Sequence, residues 1–136
     1  MAFDWRGEEF AARIRVGAEK GMVDATELVR EEMIRLIRDP PKSGKIYRRR
    51  GVRHQASAPG EAPANWTGHL VASISTDYNF AENNLIGNIN VSAKYAGYLE
   101  FGTRKMMPRP FAQRAVDSKR VEAHQAVINA IRMAMG

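Results

Sequence analysis

Cysteine is absent from the chain, which excludes disulfides and thiolate metal sites. Long apolar runs are absent as well. None approaches the ~20 residues that a bilayer-spanning helix needs, so no membrane partner is expected. The opening Met1-Ala2-Phe3-Asp4-Trp5-Arg6 has no basic start followed by an apolar stretch, and no signal peptide is expected. Catalytic spacings are missing. His54, His69 and His124 form neither a His-x-x-x-His nor a Glu-x-x-His pair, which argues against a metal site. There is no Gly-x-Ser-x-Gly elbow, and the glycine spacing around Gly102 is not that of a phosphate loop. The carboxylates of the first forty residues alternate with cations, the pattern of a solvated helix face rather than of an acid–base pair. No enzyme, metal or cofactor is expected. Internal repeats are absent too.

What is present fits a single domain over residues 1–136. A chain of that size buries roughly two-thirds of its unfolded surface, enough for one core. The net charge is +6, which favours acidic partners such as nucleic acid or an acidic protein face. The charge is concentrated in two places. Residues 40–60 carry Lys42, Lys45, Arg48, Arg49, Arg50 and Arg53 and no acid; residues 104–120 carry Arg104, Lys105, Arg109, Arg114, Lys119 and Arg120 against Asp117 alone. Such runs neutralise phosphates without reading bases, or meet an acidic face of a neighbouring subunit. Tyr47 is the only aromatic in 42–53, too few for a stacking platform. No compact helix-turn-helix supports sequence-specific binding.

Phe10, Ile14, Ala25, Leu28, Val29, Leu36 and Ile37 recur at helical intervals and predict one helix over 7–38. Glu9 with Arg13 and Glu31 with Arg35, four apart, support its exposed face. Gly17 and Gly21 either allow close packing or mark a bend. Asp39-Pro40-Pro41 ends the helix. Residues 45–49 and 52–55 are expected to pair across Arg50-Gly51 as a basic hairpin. An extended Pro/Gly loop at about 56–66 follows, with little of its own to bury. A short helix is expected over 69–73. The period then changes to two: 74–80 and 85–91 alternate around residues 81–84 and predict a β-hairpin. Residues 94–101 return to a helical turn or two, with Gly102 as a left-handed stop. The last helix is placed at 111–135, with Pro110 suiting its first turn. Tyr95, Tyr98 and Phe101 read as core residues. Glu100 reads as a structural acceptor for the 102–103 turn, or as a partner for Arg104, Lys105 or Arg109. The fold class is α+β: a small antiparallel β-sheet packed against a long N-terminal helix and a C-terminal helix.

Three landmarks stand in order. The first is Ala56-Ser57-Ala58-Pro59-Gly60-Glu61-Ala62-Pro63 followed by Thr67-Gly68-His69-Leu70 and Ser73-Ile74. The second is Tyr95-Ala96 with Glu100-Phe101-Gly102-Thr103, and the third is Pro108, Pro110 and Phe111. Together they resemble the tail-completion family of long-tailed bacteriophages. Its members are also called head–tail joining, neck or connector proteins, and prophages and gene-transfer particles encode them too. The resemblance covers residues 56–115. It implies a virion structural protein at the head–tail junction, made in the bacterial host cytoplasm, and not an enzyme. It also implies a homo-oligomeric ring, commonly a hexamer. The ring's neighbours would be the tail tube or tail terminator and the head connector or adaptor, with DNA passing through the lumen without sequence recognition. The motif residues carried over are Pro59, Gly60, Thr67, Gly68, Leu70, Tyr95, Glu100, Phe101, Gly102, Thr103, Pro110 and Phe111. The arginines lie outside the resemblance. On charge alone, Arg48, Arg49, Arg50, Arg53, Arg104 and Lys105 are candidate subunit-interface or lumen residues. The competing expectation is a non-sequence-specific nucleic-acid-binding module using 42–53 and 104–120.

Overall fold

The computed structural model describes residues 6–39, 41–64 and 68–136. The long N-terminal helix is α1 (Gly7–Arg38). Its last N–H bond runs from Asp39 to the Arg35 carbonyl. Pro40, expected to help end it, lies outside the described residues. The Lys42 ammonium then donates to the Leu36 carbonyl at 2.8 Å, which satisfies an oxygen that the helix end leaves open. Burial pushes the Lys42 pKa down.

The C-terminal helix, which is α4 once the elements between are counted (Ala112–Met135), runs antiparallel along α1. A Cβ on Gly21 would stand 2.7 Å from the Val127 Cα, and one on Gly17 would stand 2.8 Å from the Ile131 Cα. The two glycines therefore serve close packing, and α1 runs on as one helix through both. The Glu9–Arg13 pair forms at 3.5 Å. Arg35, by contrast, binds Glu32 rather than Glu31, at 2.6 and 2.9 Å. Glu32 is the buried one, and a buried carboxylate needs its counter-charge more than an exposed one does. The Arg35 hydrogen bond holds the Glu32 carboxyl below its usual range.

Two antiparallel hairpins complete the fold, so the strands form two separate two-stranded sheets. The first joins β1 (Ile46–Arg49) to β2 (Val52–Gln55). The second joins β3 (Ile74–Ala81) to β4 (Asn84–Val91), in register from Ile74↔Val91 to Ala81↔Asn84. Its alternation holds, with the even positions of β3 and the odd positions of β4 turned inward. Thr76 and Tyr78 hydroxyls donate to Glu27 of α1 at 3.2 and 3.4 Å. Arg15 of α1 donates to the Ala81 and Glu82 carbonyls at the hairpin end. The expected α+β class holds, with the second sheet laid on α1 and α4 packed on α1 as well.

The core sits at the C-terminal end of α1. Met33 and Ile37 meet Ala62, Leu70, Val71, Ile74, Ala93, Ala96, Phe111 and Ala115. Phe111 and Ile37 are its largest fully buried side chains. Burying a side chain of that size contributes about 2–3 kcal/mol. The short helices α2 (His69–Ala72) and α3 (Ala96–Phe101) close the core from either side of the second hairpin in sequence.

Candidate functional site

The corner between α3 and α4 is built around one carboxylate. Glu100 Oε2 accepts the N–H groups of Phe111 and Ala112 at 2.9 and 3.0 Å, and Oε1 accepts that of Gln113 at 2.8 Å. A helix start leaves four N–H groups without partners, and Glu100 takes three at the positive end of the dipole. Phe111 offers no side-chain cap of its own. The expected partners, the 102–103 turn and the nearby cations, are thus not the ones used. The converging N–H groups of α4 are the better-oriented donors, while Arg104 and Lys105 stay exposed. Pro110 stands before the N-cap Phe111 rather than in the first turn, so it fixes the approach to the helix and not its start.

The turn after α3 is tight. Gly102 has φ 77° and ψ 177°, so its φ is positive as expected but its ψ is extended. A Cβ there would meet the Met106 carbonyl at 2.8 Å. The Thr103 N–H donates to the Met106 carbonyl at 2.8 Å, and Thr103 Oγ1 accepts from the Met106 N–H at 3.1 Å.

The Pro/Gly loop docks against this turn. The Gly60 N–H donates to the Pro108 carbonyl at 3.1 Å, and Arg114 donates to the Gly60 carbonyl at 2.5 Å. Arg109 donates to the buried Ser57 hydroxyl at 3.1 Å. Glu61 accepts the N–H groups of Ala58 and Ser43 and the Ser43 hydroxyl. These bonds, the Ser43 hydroxyl first, pull the Glu61 carboxyl down to about 2. The expected extended loop turns instead at Pro59-Gly60, where the Glu61 N–H donates to the Ala58 carbonyl at 3.1 Å. It does not bury little: Ser57, Ala62 and Pro63 are all buried, while residues 65 and 66 lie outside the described residues. Its partners Pro108, Arg109 and Arg114 lie some fifty residues away, where local composition cannot show them. Gly68 precedes α2 with φ 76°, and Leu70 enters the core. Thr67 lies outside the described residues. Among the motif residues, then, Gly60, Leu70, Glu100, Gly102, Thr103 and Phe111 all enter this core or the bonds around it.

The aromatic residues of the second landmark do not behave as expected. Tyr95 is 41 % exposed, Tyr98 60 % and Phe101 81 %, with Met107 beyond them at 65 %. Spacing of three places Tyr95, Tyr98 and Phe101 along one stripe. The core needs only the opposite side of α3, where Ala96 is buried and Leu99 half-buried. A six-residue helix carrying two apolar stripes was the signal that one of them would be left over. Tyr95 is steadied by His69, whose ring lies 6.0 Å away, tilted by 38°.

The basic runs divide. Lys42 is spent on α1, Arg109 and Arg114 on the Pro/Gly loop, and Lys119 and Arg120 on Glu122 and Asp117 of their own helix. Of 104–120, only the exposed Arg104 and Lys105 remain without partners among the described residues. In the β1–β2 hairpin, Arg48 faces Arg53 directly across the ladder. Arg50 sits at the tip with φ 51°, followed by Gly51 with φ 77°. Positive φ at both turn positions is the twist a two-residue hairpin turn requires. Arg48, Arg50 and Arg53 are exposed, and no hydrogen bond or ion pair reaches them from the described residues. The backbone of Arg49 pairs with Val52.

Among the described residues no group of three or more His, Cys, Asp or Glu side chains could hold a metal ion, and no helix is long and apolar enough to cross a membrane. The chain matches no family model, no curated protein and no solved structure.

Proposed function

We propose that this chain is a structural subunit of a head–tail junction, a tail-completion protein that works by assembling into a ring, commonly of six. One observation carries the assembly part of the reading. Tyr98, Phe101 and Met107 stand in solvent on a helix and turn that are clamped by the Glu100 cap and by the Thr103–Met106 bonds. A rigid, exposed aromatic strip suits a partner surface, and rigidity lowers the entropy lost on docking. The resemblance over 56–115 supplies the kind of assembly. Rings need head-to-tail interfaces that close, so the strip would meet a different surface of the next copy. Tail-tube or terminator and connector or adaptor proteins would bound the ring, DNA would pass through it, and its place would be the virion. The chain would be no enzyme.

A nucleic-acid-binding module is the second reading, favoured by Arg48, Arg50 and Arg53 of the β1–β2 hairpin, which have no partner among the described residues. It draws little support from 104–120, whose cations are mostly engaged within the chain.

Light scattering on the full chain, alone and mixed with tail-tube and connector proteins, tests the first reading. A defined ring in either setting supports it, and Phe101→Ser with Tyr98→Ser should abolish that ring while leaving a folded monomer. A monomer that ignores both partners overturns it.

A further inference from the structure

We infer that the β1–β2 hairpin is a phosphate clamp for double-helical DNA, and that the second basic site, Arg104 with Lys105, faces protein instead. The inference deepens the reading above and rests on it only for the presence of DNA. Three features of the hairpin point to a polyanion. Arg48 and Arg53 are directly opposed in the ladder and so project from the same face. Like charges so placed repel, and no carboxylate among the described residues relieves them. Arg50 occupies a left-handed position that asparagine or glycine would fill with less strain. The tip thus holds a cation against its own backbone preference. Arginine forks match phosphate oxygens in pairs.

A second copy of the chain is a poor recipient for these charges. It is itself cationic at +6. Six of its fifteen carboxylates, Glu9, Glu19, Glu27, Glu32, Asp117 and Glu122, are already paired with cations of their own helices. Single-stranded nucleic acid is disfavoured because the hairpin carries only two rings, Tyr47 and His54, opposed at one rung of the ladder, and strand binders stack successive bases on a longer platform. A two-stranded ribbon has the width that the major groove admits, with phosphates on either side. Arg104 and Lys105 differ in setting. They follow Phe101 and precede Met107 in sequence, so they border the apolar strip and form its charged rim.

The test is a fluorescence titration of a short random-sequence duplex with the full chain, at salt from about 50 to about 200 mM. Three phosphate contacts give a slope of about −2.7 in log affinity against log salt, or about 40-fold weaker binding over that range. Arg48→Gln with Arg50→Asn and Arg53→Gln should bring the slope close to zero. Lysine at 48, 50 and 53 should keep most of the slope, which separates lost charge from a damaged hairpin. Arg104→Gln with Lys105→Gln should leave it unchanged. An unchanged slope in the glutamine/asparagine variant, or no binding by the parent at about 50 mM, overturns the clamp. So does equal competition by polyglutamate, which would assign the hairpin to an acidic protein face. Light scattering on the same samples keeps the two ideas apart. A ring that fails to bind duplex sinks the clamp alone, and a monomer that binds it through these arginines sinks the ring alone.

Discussion

Replacing Glu100 by alanine should unlock the corner. The Phe111 and Ala112 N–H groups lie in a partly buried setting, while that of Gln113 is exposed. Water can replace the carboxylate at Gln113 and reaches the other two poorly. Each partly buried N–H left without an acceptor costs about 1–2 kcal/mol, toward the low end of the range for fully buried groups. Loss of a negative charge at the helix start adds about 0.5 kcal/mol. The sum is about 2.5–4.5 kcal/mol. For a domain of this size, that lowers Tm by roughly 10–18 °C. Glu100→Gln keeps an acceptor and loses the charge, so it should cost only about 1 kcal/mol. Circular dichroism melts with urea titrations on the three proteins measure both values. A loss below about 0.5 kcal/mol in the alanine variant would refute the cap as the element that holds α4 to α3.

Further outcomes follow from other parts of the molecule. Gly21→Ala gains about 1 kcal/mol of helix propensity, but its Cβ would meet the Val127 backbone at 2.7 Å. The overpacking costs about 1–3 kcal/mol, so urea denaturation should show a net loss of about 1 kcal/mol. Acid should weaken the fold. Glu61 titrates at about 2 against an ordinary 4.5, so its contribution is complete above 4.5 and fades as pH falls from there toward 2. Glu32, also lowered, works in the same direction. Thermal melts across that window should show Tm falling, and Glu61→Gln should make the fall shallower. Arg50→Asn relieves a left-handed arginine and should stabilise the hairpin by about 1 kcal/mol. Slower hydrogen exchange at the β1–β2 amides would register it.

Elements with a local signature were legible in the sequence. The 7–38 helix, both hairpins and the short 69–73 and 94–101 turns rest on periodicity and on turn residues, which act over a few positions. Gly17 and Gly21 were visible as anomalies, but choosing packing over bending required a partner helix more than a hundred residues away. The same distance hid the docking of the Pro/Gly loop. Glu100 read as structural, yet its acceptor role went to a helix start eleven residues on, because cap geometry depends on how two helices meet. The exposure of Tyr95, Tyr98 and Phe101 departs from the sequence expectation for a different reason. Apolar character sorts residues toward the inside only while the inside has room, and α3 had already filled its share with Ala96 and Leu99.

The pairing of Gly17 and Gly21 with residues 127–134 has a consequence for synthesis. The first helix is made before the surface that covers its glycine face, which follows more than a hundred residues later. At about 5–20 residues per second, that face waits roughly 5–20 s on the ribosome. The aromatic strip waits a much shorter time, since the N–H groups that clamp Glu100 belong to Phe111, Ala112 and Gln113, eleven to thirteen residues on. A nascent chain therefore holds its docking helix loosely until residues 111–113 have emerged, and the glycine face of α1 stays bare for longer still.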